Sequence, residues 1–426
     1  MLGTVKTKLV QLWNKGAFHI LGGSFLNKFI SMFASIIIVR LLTKSDYGLL
    51  SYTENIYNYA FIFAGFGLSN SILRFVVLEQ DKIKKSAYFY FSVKYGIFIN
   101  IIIVLFVIFL NTLIQPSIEF TTARGLLYIY ILILPFQHLL DDFLMLERAM
   151  FSNTRYAYFS LIILCILLLG RIIGAYVNGV WGVIYFILFL YVLLSIGYYF
   201  NIRRTYFRKL TSITIDKSEK KKMIVYSLQY MITNGLWTIF SLNGTFLLGQ
   251  LASSREIIAD FKVATVLPGC LGLISGAIGT YVAPYFIQNE NDRKWVWYNF
   301  KRSCFVTFII LLIFCIGGII FGKLIVVVIY GNRYLSVIPT MNLLLISAVI
   351  NGSFRYTTAN IFAAMGMIKY NMIVSVIGIL CQFIFSYLLV PKYNSIGTAM
   401  VEVIVYTIMS IVLIIFFIYR YRKGSE

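Results

Sequence analysis

Six ionisable residues stand inside long apolar runs, where a charge needs a reason to be. The cations are Lys28, Lys262 and Arg355; the carboxylates are Glu54, Asp260 and Glu402. A charge within a membrane span is costly and usually faces a cavity or a partner. Cations near mid-depth in a water-filled cavity attract an anionic group such as a pyrophosphate, Arg as a bidentate fork and Lys as a point charge. The carboxylates could carry protons, bind sodium or close structural ion pairs. Lys28 with Glu54, and Lys262 with Asp260, are pairs of that second kind, and Lys262 could instead snorkel to the outer interface. Arg74 and Lys94 read as interface anchors, and Arg171 adds a further cation in the fifth span. Asp141, Asp142 and Glu147 close the fourth span and read as cytoplasmic-end charges. The Asp141–Asp142 pair resembles half of a magnesium-pyrophosphate cluster, but the position a third Asp would need is Met145.

Uncharged polar groups accompany them. Asn27, Ser31, Asn55, Asn58, Asn70, Asn234 and Asn243 suit either sugar hydroxyls or hydrogen bonds between helices. Tyr52, Tyr57, Tyr59 and Trp237 suit either stacking on sugar rings or ordinary packing. Soluble-enzyme motifs are missing. No GxxxxGK[ST] loop is present, so ATP hydrolysis by the chain is not expected. Gly65 and Gly67 form a GFG that lacks the third glycine of a dinucleotide site and reads as close helix packing. The five cysteines form no CxxC pair, and the two histidines, His19 and His138, are far apart. No metal centre, disulfide framework or cofactor is expected.

The elements that must position these groups are membrane helices. The chain is 60% hydrophobic and 12% charged, with a mean hydropathy of +0.85. A soluble domain is about 45–50% apolar and about 25% charged, so lipid is the solvent that suits this composition. Runs of about 20 apolar residues mark spans. They fall at 17–42, 47–75, 88–114, 123–147, 156–177 and 180–201, then at 223–250, 257–288, 296–321, 335–365, 367–390 and 394–419. The fold class expected is therefore all-α integral membrane, about twelve helices in two six-helix lobes around a central cavity. Residues 1–201 and 223–426 are the lobes, and 202–222 is a basic cytoplasmic linker.

The formal net charge of +21 could indicate nucleic-acid binding, but the basic residues lie between apolar runs and form no continuous face. They obey a topological bias instead. Lys82, Lys84 and Lys85, Arg148 and Arg155, the linker cluster, Arg293, Lys294, Lys301 and Arg302, and the C-terminal Arg420, Arg422 and Lys423 all fall on one side. Both termini are therefore expected in the cytoplasm. The amphipathic N-terminal stretch reads as lying on that membrane surface, not as a cleaved signal. The largest outer loop is expected at 322–334, and no extramembrane domain is expected. Aligning the halves sets Leu42 on Leu251, Ser45 on Ser254, Tyr52 on Phe261 and Gly67 on Gly276, a sparse correspondence. Six spans per half give parallel repeats, a plan that supports alternating access.

Four segments carry a family resemblance. Ile38–Tyr52 (IVRLLTKSDYGLLSY), Phe63–Phe75 (FAGFGLSNSILRF), the IYGNRYLSVIPTMNLLLI run and Leu388–Ile404 (LLVPKYNSIGTAMVEVI) resemble, in order, motifs of the polysaccharide-transport flippases. Asn394 and Thr398 stand where that family usually has Gly and Ala. The resemblance implies the multidrug/oligosaccharidyl-lipid/polysaccharide exporter superfamily, with two six-helix lobes around a central cavity. It implies a non-enzymatic O-antigen-type flippase that moves undecaprenyl-pyrophosphate-linked oligosaccharide from the cytoplasmic to the outer leaflet of a bacterial inner membrane. Implied partners are the lipid-linked oligosaccharide, membrane lipid, and the polysaccharide polymerase and chain-length machinery. The chain itself is expected to be monomeric. Related lipid flippases line their cavities with cations, and Lys28 and Lys262 fall on comparable helices. Two other classes compete: a membrane polysaccharide polymerase or ligase, which would need a larger outer loop, and a drug or cation exporter of the same superfamily.

Overall fold

The computed structural model describes residues 17–113, 121–207 and 215–421, and every described element is helical. The amphipathic N-terminal stretch lies outside the described residues. The helices are α1 (Ala17–Leu41), α2 (Lys44–Ile62), α3 (Leu68–Leu78), α4 (Lys82–Leu113), α5 (Thr121–Tyr130), α6 (Leu134–Ala149) and α7 (Asn153–Tyr206). They continue with α8 (Lys217–Leu251), α9 (Arg255–Gln288), α10 (Arg293–Tyr330), α11 (Ile338–Ile350), α12 (Thr357–Ala364) and α13 (Ile368–Tyr421). Seven continuous helical stretches among the described residues are long and apolar enough to cross a membrane, eight with the bent pair α2 and α3.

Two of the seven are hairpins. A straight helix of 54 residues would be about 80 Å long, yet the hydroxyls of Ser152 and Tyr206, at the two ends of α7, stand 3.0 Å apart. The reversal is at Asn178 and Gly179, where Gly179 takes φ 52°. The two arms then touch backbone to backbone: a methyl on Gly174 would fall 2.4 Å from the Gly182 carbonyl oxygen. The sequence break expected between 177 and 180 sits at this turn. In α13 the reversal is at Asn394, φ 52°, and Tyr421 reaches the sulfur of Met365, just before the helix begins. A short polar side chain tolerates that left-handed backbone better than most.

Local chemistry explains the other joints. Thr43 caps α2 by accepting from the Asp46 amide at 3.1 Å while its hydroxyl donates to the Asp46 carboxylate at 2.8 Å. The Thr-x-x-Asp of the first signature segment is thus a helix start. The second span bends by 44° between α2 and α3. Gly65, Phe66 and Gly67 there take φ of 50°, 48° and 77°, so these glycines do more than permit close packing. In the fourth span the break is the 3-10 turn Ile131–Ile133, with Pro135 in the first turn of α6. The outer loop expected at 322–334 is mostly helix, because the branched apolar run continues α10 to Tyr330 and Gly331, at φ 87°, ends it.

Packing divides the chain into two compact units, Met1–Gly235 and Leu236–Glu426. The division falls inside α8. Its first half packs on the first unit: Arg74 lies over the Tyr226 ring at 4.9 Å, and Lys84 pairs with Glu219 at 3.9 Å. Each unit has its own core, built in the first around Phe89, Phe143 and Leu146 and in the second around Phe300, Phe362 and Phe417. The face turned to lipid is bare apolar surface, as at Phe98, Phe106, Phe314 and Ile320.

Candidate functional site

The second unit encloses a cavity of about 300 Å3 whose polar wall includes Thr265, Ser347, Asn351, Tyr356, Glu402 and Tyr406. One wall is a π-helical turn, Asn351–Tyr356, between α11 and α12. Such a turn widens the helix and leaves a carbonyl without its usual partner. Here Thr357 donates its hydroxyl to the Gly352 carbonyl at 2.8 Å. Gly352 faces Ser275 of α9 so closely that a methyl there would fall 2.3 Å from the Ser275 hydroxyl. The turn carries Arg355, which is 7% exposed, to a position over the Trp237 ring, 3.7 Å from its centroid. Tyr356 and Tyr406, both in the cavity wall, are its electrostatic neighbours.

Glu402 brings the opposite charge. Ser347 donates to it at 3.4 Å, and Lys262 of α9 is within electrostatic reach of it. The cavity wall thus gathers a carboxylate, hydroxyls and an amide, with the Lys262 ammonium within electrostatic reach of that carboxylate and the Arg355 guanidinium one residue from the wall. It can bind an anion through the cations or a cation through Glu402, and its hydroxyls can read a sugar.

The other candidates lie elsewhere. Asp260 accepts from Ser336 at 3.2 Å and neighbours Tyr334, while Lys262 faces Glu402, so the Lys262–Asp260 pairing is not the one formed. In the first unit Glu54 pairs with Arg171, and Tyr130 donates to Glu54 at 3.4 Å. The side chain of Lys28 lies outside the described residues. Asp142 is not a solvated end charge: it is fully buried, served by the Ser92 hydroxyl at 3.3 Å and beside His138 at 3.6 Å, while Asp141 is partly buried. The reason is that α6 runs on for seven residues beyond Asp142, to Ala149, and buries it against α4. Trp237 packs under Arg355 and on Phe240, at a centroid distance of 5.3 Å. Ser347, Asn351, Tyr356 and Tyr406 were not singled out by sequence, since isolated hydroxyls and amides in apolar runs carry no spacing signal. Among the described residues no three His, Cys, Asp or Glu side chains gather as a metal site.

Comparisons with known proteins agree with this architecture. The chain is 22% identical to the uncharacterized membrane protein MJ1068 of Methanocaldococcus jannaschii over 90% of this chain and 80% of that protein. Its fold matches the lipid II flippase MurJ in an inward closed conformation, with a TM-score of 0.71 and 16% identity, covering 93% of this chain and 86% of that one. It matches an inward-facing multidrug resistance MATE transporter of the MOP superfamily equally, at 0.71 and 16%, over 94% and 96%. A MOP superfamily transporter from Pyrococcus furiosus follows at 0.64 and 15%, over 97% and 96%. The family model described as "Polysaccharide biosynthesis protein" matches residues 37–339, and this multi-pass all-helical membrane protein, folded like the MOP transporters, belongs to that family.

Proposed function

We propose that this chain is a flippase that moves undecaprenyl-pyrophosphate-linked oligosaccharide from the cytoplasmic to the outer leaflet of a bacterial inner membrane by alternating access. The observation that carries the reading is a cavity within the second unit walled by Glu402 and the Arg355-bearing turn, with Lys262 within electrostatic reach of Glu402. In this reading Lys262 and Arg355 hold the pyrophosphate, the wall hydroxyls meet the sugars, and the prenyl tail stays in lipid; Lys28 is proposed separately as an anion-attracting residue of the first unit. Glu402 competes with the substrate for Lys262, so binding on one side and release on the other become an exchange of partners. Asp260 and Glu54, each already engaged, hold helices in place.

The family match and the likeness to a lipid II flippase support this reading. Within it the chain is a monomer of about twelve spans in two lobes, with both termini cytoplasmic, and it hands its cargo to a polysaccharide polymerase with chain-length machinery. Deletion in the host tests it: lipid-linked oligosaccharide should accumulate on the cytoplasmic face and surface polysaccharide should disappear. Normal surface polysaccharide in the deletion strain would refute it.

A second reading, export of a cationic small molecule, draws on the carboxylate of Glu402 in the cavity wall and on the equal likeness to a multidrug transporter. Loss of drug tolerance with intact surface glycan would favour it.

A further inference from the structure

The first unit contains a cluster of polar side chains apart from the cavity. His138 is 2% exposed, Asp142, Ser92 and Asn100 are 0%, and Ser69 is 7%. They come from three helices of that unit. His138 and Asp142 share one face of α6, Ser92 and Asn100 come from α4, and Ser69 from α3. Ser69 Oγ lies 3.1 Å from His138 Nδ1, and Ser92 hydrogen-bonds the Asp142 carboxylate. His138 Nε2 makes no hydrogen bond and faces Asp142 Oδ2 across 3.6 Å. That gap is longer than a hydrogen bond.

The imidazole is clamped. A methyl on Gly96 would fall 2.0 Å from Nε2, and one on Gly65 would fall 2.2 Å from Cε1. Gly65 belongs to the left-handed break of the second span, and Asn100 accepts its amide at 2.7 Å. The ring therefore cannot shift without moving either α4 or the break.

Charge accounting gives the cluster a ligand. With a neutral imidazole and an ionised Asp142, a negative charge is buried with only hydroxyl donors, an expensive state. One proton from water removes it. Placed on Nε2, that proton completes a hydrogen bond to Asp142 and closes the gap; placed on the carboxyl group, it neutralises the charge directly. Asp141, the next residue, adds a second acidic group, faced by Tyr57 of α2 and Tyr191 of α7. No cation other than His138 faces the pair within the cluster described. On the Tyr191 side Arg171 is an electrostatic neighbour of that tyrosine, and it is paired with Glu54.

We propose that His138 and Asp142 form a buried proton-binding site whose occupancy sets the conformation of the Ala64–Gly67 break in the second span. The site is independent of what the second unit's cavity binds.

The chain has two histidines, so the full protein in lipid nanodiscs, labelled with 15N-histidine, gives two imidazole signals, and His138→Gln assigns them. The His138 signal should report proton uptake by the pair over a scan from about pH 5 to pH 8. In parallel, hydrogen-exchange protection factors for residues 64–67 should differ between those limits by about tenfold per unit of proton affinity that separates the two conformations. Asp142→Asn should abolish that difference. Ser92→Ala, a milder change, should move the midpoint, because it removes a hydroxyl bonded to the Asp142 carboxylate. A His138 signal unchanged across the range, or protection factors whose pH dependence survives Asp142→Asn, would overturn the proposal. So would an unmoved midpoint in Ser92→Ala.

Discussion

The guanidinium carbon of Arg355 lies 3.7 Å from the centroid of the Trp237 ring, and the two side chains hold one another from α8 and from the π-helical turn. This contact orients the planar group, whose Nε has no hydrogen-bond partner. Cation–π attraction of this kind is worth about 0.5–2 kcal/mol. Arg355→Lys keeps the charge but loses the plane, and should lower surface-polysaccharide export by roughly tenfold, as expected for a loss of about 1.4 kcal/mol. Trp237→Phe should be close to wild type, and Trp237→Ala should resemble Arg355→Lys. Export at constant protein level is the measurement.

Lys262 and Glu402 should act as a unit. If each neutralises the other when the cavity is empty, Lys262→Ala alone leaves an uncompensated carboxylate facing an anionic substrate. Export by Lys262→Ala should then fall further than export by the double variant Lys262→Ala/Glu402→Gln. Equal export by the single and the double variant would show that the two side chains are not coupled.

Glu54 and Arg171 are each 26% exposed and paired across α2 and α7. Breaking the pair with Glu54→Gln should cost about 2 kcal/mol, between the values for exposed and buried pairs. Thermal unfolding of purified protein in detergent measures it, and Glu54→Gln/Arg171→Gln should recover part of the loss.

The α7 hairpin predicts a ranking among glycines. Gly174→Ala and Gly182→Ala each drive a methyl into the opposing backbone, within 2.4 Å of a carbonyl oxygen, whereas nothing stands within 4 Å of a methyl on Gly197. The first two should lose about 1–3 kcal/mol or more, and Gly197→Ala should be neutral or slightly stabilising. The same thermal assay separates them.

Much of this fold is legible in the chain because membrane helices write themselves in long apolar runs. The sequence breaks at 177–180 and 390–394 sit at the two hairpin turns, since Gly179 and Asn394 are among the few residues that accept those dihedrals. The Thr43 cap is legible for a similar reason: Thr-x-x-Asp is a local motif. Tertiary pairings are not local. Glu54 could not be assigned to Arg171 from sequence, because nothing in the α2 run points to the fifth span. Arg355 was visible as a cation in an apolar run, but the π-helical turn that lays it on Trp237 has no proline or glycine-pair signature. The His138–Asp142 spacing of four is that of one helix face, but Asp142 reads from sequence only as an end charge. What escaped sequence reading was that Gly65 and Gly96 make room for the ring there.

Transport by the isolated protein tests the central claim most directly. Proteoliposomes would carry purified protein and an undecaprenyl-pyrophosphate-linked oligosaccharide in both leaflets, and an impermeant glycan-oxidising reagent would be added outside. If the chain is the flippase, the reagent should consume the inner-leaflet pool as well as the outer one, and Lys262→Ala/Arg355→Ala should leave the inner pool protected. If wild-type proteoliposomes protect the inner pool as fully as protein-free liposomes, the account is contradicted.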